Sequence, residues 1–150
     1  MRIKRALVTA LTVGAMALMT APGAEASATA PTTASASASV PSSVPAPDGF
    51  LYAWEHPHAG GFHCRWNAEN ANWAGCRNKV SDVWNNGFPG RGEDVRLFYG
   101  LNMTGSWVCL HRGDSFPDLE TDDVRFFSVG AGRGERVNDN VSSHDWVDRC

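Results

Sequence analysis

Apolar and polar residues alternate with a period of two in several short runs of this chain. Leu51, Ala53 and Glu55 alternate with Tyr52, Trp54 and His56, and the run Asp94-Val95-Arg96-Leu97-Phe98-Tyr99 keeps the same rhythm. Ser106-Trp107-Val108-Cys109-Leu110 carries the β-branched and aromatic residues that suit a pleated, half-buried surface. Turn signals separate the runs: Gly60-Gly61, Asn85-Asn86-Gly87, Pro89-Gly90, Gly113-Asp114 and Gly130-Ala131-Gly132. No segment sustains a 3.6-residue period, so the pattern predicts an all-β class with one short helical turn near Asn67–Trp73.

The pattern also repeats. Residues 50–64 read FLYAWEHPHAGGFHC and residues 95–109 read VRLFYGLNMTGSWVC. Aligned without a gap, Cys64 falls on Cys109, Gly60 on Gly105, Phe62 on Trp107 and Trp54 on Tyr99. A second match follows each copy, RNKVSD from Arg77 and NDNVSS from Asn138. Such self-similarity predicts one β-domain over 48–150, built from halves of about 48–92 and 93–150. The halves are unequal. Ser81 follows Cys64 by 17 positions and Ser142 follows Cys109 by 33, so the second half carries about 16 extra residues within Asp118–Arg136. Val124–Val129 in that insertion predicts either an added strand pair or a long functional loop.

Upstream of the repeat the composition changes. Arg2, Lys4 and Arg5 precede an uncharged apolar stretch, Ala6–Met19, and Ala24-Glu25-Ala26 offers a small-x-small cleavage site. Residues 1–26 therefore predict a secretory signal peptide and a secreted, extracellular protein without a membrane anchor after cleavage. Residues 27–47, nearly all Ala, Ser, Thr, Pro and Val without charge or aromatics, predict a disordered linker. Taking Arg2, Lys4 and Arg5 from the 13 basic residues and Glu25 from the 16 acidic ones leaves a net charge near −5. An acidic domain excludes nucleic acid as the expected partner, because phosphate binding needs a basic stripe.

All four cysteines, Cys64, Cys76, Cys109 and Cys150, lie in the repeat domain. An even number behind a signal peptide predicts disulfides, with three pairings open. The repeat favours Cys64–Cys76 and Cys109–Cys150, one bridge per half. Each bridge is worth about 3–4 kcal/mol by the loop-entropy model.

Several constellations invite a chemical reading. His56, His58 and His63 cluster near Cys64, but Pro57 interrupts the His-x-His geometry of a zinc site. Ser142-Ser143-His144-Asp145 has triad residue types, yet a triad converges from separated positions, and no nucleophile elbow is present. The residues thus predict no catalytic machinery. Six tryptophans could build a sugar-stacking platform, but their matched strand positions predict core duty.

Two motifs carry a resemblance to a known family. One is the aromatic-x4-aromatic-x-Gly hairpin, matched by Phe98, Met103 and Gly105 and less well by Ala53, His58 and Gly60. The other is the [Asn/Asp]-[Asn/Asp]-x-x-[Ser/Thr]-Ser loop, which Asn138–Ser143 fits throughout and Arg77–Asp82 fits only at Asn78 and Ser81. With the phrases around Trp84-Asn85-Asn86-Gly87 and His144-Asp145-Trp146, the chain resembles the βγ-crystallin-like Greek-key fold. More narrowly, it resembles peptidase inhibitor family I36, secreted inhibitor-like proteins of actinobacteria. The resemblance implies a sandwich of two Greek keys and a monomeric inhibitor of extracellular proteases, metalloproteases above all, rather than an enzyme. The inhibitory bond is not identifiable, and the candidate loops are Asn85–Glu93, Gly100–Thr104 and His111–Asp118. The resemblance also implies calcium clamps in the late loops. Asn140 with Ser81, and Asp139 nearby, would form one weak site, whereas Lys79 spoils its counterpart beside Ser142. No cofactor is expected to be required. The alternatives are a calcium-binding or structural crystallin-like module and a carbohydrate-binding or killer-toxin-like module.

Overall fold

A computed structural model describes residues 45–150. The expected signal peptide and the linker up to residue 44 lie outside the described residues. Seven strands form two antiparallel sheets: β1 (Phe50–His56), β2 (Gly60–Trp66), β3 (Asp82–Asn86), β4 (Asp94–Phe98), β5 (Trp107–Leu110), β6 (Ser115–Phe116) and β7 (Ser143–Val147). The first sheet has the order β2-β1-β3-β6 and the second β5-β4-β7. The all-β expectation is met. No helix among the described residues is long and apolar enough to cross a membrane.

The two halves interlock as Greek keys do. Each gives one sheet a second–first–last trio of strands and lends a segment to the other sheet. The second half lends β6, which pairs with β3 through Val83 opposite Phe116 and Trp84 opposite Ser115. The first half lends Asn70, whose N–H and carbonyl both bond His144 of β7 at 3.0 Å. Leu51, Ala53 and Val83 meet Val95, Leu97, Val108 and Leu110 in a shared core. A single half would leave that apolar face in water.

The helical turn lies later than expected, at Ala74–Cys76. Asn70 and Asn72 explain the delay. Their side-chain oxygens accept the N–H groups of Asn72 and Ala74 at 2.8 and 2.9 Å, which holds the preceding backbone in successive Asx turns.

The ungapped alignment of the repeat is one residue out along the first two strands of each half. Trp54 pairs with Asp82, and Phe98 pairs with Ser143. His58 and Ala59 share the left-handed backbone of Asn102 and Met103, and positive-φ Gly61 corresponds to Gly105. Trp54 therefore matches Phe98, not Tyr99, and His58 matches Asn102, not Met103. Ala53 pairs with Cys64 and Leu97 with Val108, so Cys64 matches Val108, and Cys109, opposite Arg96, lies on the other face of its strand. The distinction has consequences, because a one-residue slip exchanges the core and solvent faces of a strand.

The favoured disulfides, Cys64–Cys76 and Cys109–Cys150, are both formed. The Asp118–Arg136 insertion is an irregular loop rather than a strand pair, with one bridge between Arg125 and Arg136. It is anchored, since Leu119 and Phe126 are fully buried and Phe126 meets Tyr99 edge-on.

Candidate functional site

The loops 77–82 and 138–143 face each other with approximate two-fold symmetry. Asn78 donates its N–H to Val141 O at 2.9 Å, and Asp139 donates its N–H to Val80 O at 3.1 Å. Both residues adopt φ of 56°. Ser142 Oγ donates to Asn78 Oδ1 at 3.0 Å, so that hydroxyl braces the loop. On the other side, Ser81 and Asp139 line a cleft of ≈ 370 Å³ with Glu55, Lys79 and Glu120. Burial first, and then repulsion from Glu120, pushes the Asp139 carboxyl above its ordinary range. Asn140 does not line this cleft. Its amide donates to Arg136 O at 2.9 Å and Asn138 O at 3.1 Å within its own loop. The structure thus brings two of the three calcium candidates together. The cleft's oxygen-rich donor set suits a hard cation, while the Lys79 ammonium opposes one.

Each late loop also ties down a hairpin. Ser143 Oγ donates to Gly100 O at 2.6 Å and accepts the Met103 N–H at 3.0 Å. The corresponding residue in the first half is Asp82, whose Oδ2 accepts the Ala59 N–H at 2.7 Å. Its carboxyl is raised above the ordinary range by burial, partly offset by that hydrogen bond.

The three candidate inhibitory loops differ in build. Gly100–Thr104 is a tight hairpin turn closed by Gly100 N–H to Thr104 O at 2.9 Å. His111–Asp118 is partly consumed by β6. In the third, Asn85 and Asn86 belong to β3, which leaves Gly87–Glu93 as the free loop between the halves. The fully buried Asn85 side chain clamps both of its ends. Its Nδ2 donates to Glu93 O at 2.9 Å and Leu110 O at 3.0 Å, and its Oδ1 accepts the Gly87 N–H at 2.9 Å. Glu93 Oε2 accepts the Gly90 N–H and Arg112 Nε, each at 3.0 Å, and Asp148 Oδ1 accepts the Gly92 N–H at 2.7 Å. Phe88 stands 62 % exposed on this frame.

The outer face of the first sheet is aromatic. Phe50, Tyr52 and Trp54 point away from the core because Leu51 and Ala53 point into it. Tyr52 is stacked between Trp54 and Trp84, with ring centroids 5.5 and 5.6 Å away and planes within 13° and 23°. A groove of ≈ 430 Å³ runs beside the stack, lined by Trp54, Trp84, Asp82, His58, Ser115 and Pro117 among others. The expectation that the tryptophans serve the core holds for the fully buried Trp73 and for Trp66 and Trp146, which are part-buried and pack against the core, but not for Trp54 and Trp84 on the outer face. The sequence signal was present in the alternation, which sets three aromatics on one face of β1 and small apolar residues on the other.

His56, His58 and His63 form no metal-ligand cluster among the described residues. The one such group found, Asp94 with Cys109 and Cys150, contains a disulfide. His144 is a core residue. Trp73 Nε1 donates to its Nδ1 at 2.8 Å, which leaves Nε2 to donate to Ala68 O at 2.9 Å.

No family model matches this chain, and no curated protein matches it. Among solved structures it is similar to a βγ-crystallin from Ciona intestinalis, with 15% identity over 65% of this chain and 99% of that one, at a TM-score of 0.47. It is also similar to spherulin 3a of Physarum polycephalum, with 19% identity over 69% of this chain and 86% of that one, at a TM-score of 0.45. A further βγ-crystallin domain, described in work on the evolution of the eye-lens fold, has 19% identity over 67% of this chain and 86% of its own, at a TM-score of 0.49.

Proposed function

We propose that the chain is a secreted proteinase inhibitor that presents Phe88 to an extracellular protease from the loop Gly87–Glu93. The observation that carries this reading is the contrast between an exposed aromatic side chain and a loop clamped at both ends by one buried amide. A loop ordered before binding avoids the entropy that a flexible substrate loses, and that saving appears as affinity. Pro89 biases Phe88 toward extended backbone, the shape in which a protease cleft takes a chain. If the loop is cut, the Asn85 amide still holds Gly87 and Glu93, so the new ends stay in place and product does not leave. The Phe88 ring suits a protease with an apolar specificity pocket, and the resemblance to family I36 read from the sequence would make that protease a metalloprotease.

The test is the disulfide-bonded chain assayed against a panel of metallo- and serine proteases. Inhibition of a thermolysin-like metalloprotease at about 1 μM or tighter, near −8 kcal/mol, is the expected result. Full protease activity across the panel at a large molar excess would sink the reading.

A second reading, a weak calcium site, is favoured by the three carboxylates of Glu55, Glu120 and Asp139 around Ser81. A bound cation would relieve the repulsion that raises the Asp139 carboxyl. Millimolar calcium should then raise the melting temperature of the native chain and leave Asp139→Asn unmoved. Equal melting temperatures with and without calcium in the native chain would remove this reading.

A further inference from the structure

We propose that the groove on the outer face of the first sheet binds neutral oligosaccharides of β-linked pyranose rings. This site is separate from the Phe88 loop, since Asp82 opens β3 and Gly87 follows its end.

The two halves supply an internal control for what the fold itself requires. Tyr52 lies opposite Trp84 on the first sheet, and the same two positions on the second sheet hold Arg96 opposite Asp145. There they form an ion pair, with Arg96 Nε to Asp145 Oδ1 at 3.0 Å. The same backbone is thus built with charged side chains at this place. The aromatic stack is a property of this face and not a demand of the architecture.

Asp82 supports the same conclusion independently. Ser143 ties its hairpin with one hydroxyl that donates once and accepts once. Asp82 makes the corresponding tie to Ala59 with Oδ2 alone. Its Oδ1 makes no side-chain hydrogen bond among the described residues and keeps some access to solvent, in a residue that lines the groove. A serine would hold the hairpin without the cost of burying a charge. The carboxylate therefore adds an acceptor to the lining of the groove, beyond what the hairpin needs.

A ligand for this groove must offer an apolar face to indole rings and hydroxyl donors to a carboxylate. A pyranose with equatorial hydroxyls has both, with axial C–H bonds across its face and O–H groups around its rim. Such hydrogen bonds to a charged acceptor are the stronger kind. The acidic domain and Asp82 itself repel anionic sugars, which restricts the class to neutral ones. The volume falls within the usual range of about 300–1,000 Å³ for small-ligand sites. A proline-rich peptide would also stack on tryptophan, but it has few donors to answer the free oxygen of Asp82.

The test titrates the disulfide-bonded chain with cellohexaose, hexa-N-acetylchitohexaose and xylohexaose, followed by calorimetry and tryptophan fluorescence. At least one of them should bind with a Kd of about 1 mM or lower. Trp54→Ala and Trp84→Ala should each weaken binding about ten-fold or more. Because either could disturb the sheet, Asp82→Ser provides a second arm: it installs the second half's own tie, keeps the fold by circular dichroism, and should also lose about ten-fold in affinity. Trp107→Ala, on the other sheet, should bind as the native chain does. No binding of any of the three sugars at millimolar concentration would overturn the proposal. So would native affinity in folded Asp82→Ser, or binding of a synthetic proline-rich peptide in place of all three sugars.

Discussion

His144 shows how much a residue's surroundings decide its role. In the sequence Ser142-Ser143-His144-Asp145 it has the look of a catalytic base. Pairing of β7 with β4 puts it opposite Leu97 and turns it into the core, where Trp73 and Ala68 use both ring nitrogens. Burial lowers its pKa from 6.5 to about 4. The folded state refuses a proton that the unfolded chain accepts. This contribution to stability is therefore full above the unfolded value of 6.5 and is lost as pH falls toward 4. The linkage amounts to on the order of 3 kcal/mol. Urea denaturation of the native chain should give a lower midpoint at pH 4 than at pH 7. His144→Gln, which keeps a donor and an acceptor but does not titrate, should lose most of that difference; an unchanged difference in the variant would contradict the assignment. The register that buries His144 depends on strand pairing between distant segments, so local sequence does not reveal it. The same is true of Asp82, whose place beside Ala59 depends on a contact across 23 positions.

At the scale of elements, the strands were readable because alternation, turn residues and the repeat agree for β1, β4 and β5. The short β6 and the lent segment at Asn70 were not, since each is held by pairing with the other half rather than by its own residues. The one-residue slip in the repeat has a similar origin. The cysteines at a spacing of 45 draw the alignment off, because Cys64 sits opposite Ala53 on the core face and Cys109 opposite Arg96 on the outer face, which only the ladders reveal. The disulfides staple unequal spans, with sequence separations of 12 and 41. By loop entropy the shorter is worth about 3 kcal/mol and the longer about 4 kcal/mol. Replacing Cys109 and Cys150 together by Ser should therefore lower the urea-unfolding free energy more than replacing Cys64 and Cys76. The longer bridge also holds the C-terminal segment near the Gly87–Glu93 loop, where Asp94 Oδ2 accepts the Cys150 N–H at 3.3 Å and Asp94 Oδ1 the Arg112 N–H at 3.2 Å. The reverse order of stabilities would contradict this account of the two bridges.

Across the whole molecule, one duplicated plan has been given two different exteriors. The interior positions agree, with Leu51 and Ala53 matching Val95 and Leu97, all fully buried. The exteriors diverge into an aromatic face on one sheet and an ion pair on the other. The fold class and both disulfides could be read from the sequence, since they follow from composition, spacing and repetition. The two candidate surfaces could not, because each joins residues that chain order keeps apart: Asn85 with Leu110 under the loop, and Trp54 with Ser115 in the groove. In the proposed inhibitor, Phe88 on its clamped loop enters the protease, and the rest of the domain holds it there. This role of Phe88 is tested most directly by the inhibition constants of the native chain and of Phe88→Ala against one thermolysin-like metalloprotease, with Val129→Ala, an 86 % exposed residue in the insertion, as control. A loss of about 30-fold or more for Phe88→Ala, roughly 2 kcal/mol, with no change for Val129→Ala, is the predicted result. Equal inhibition by the native chain and Phe88→Ala would contradict it.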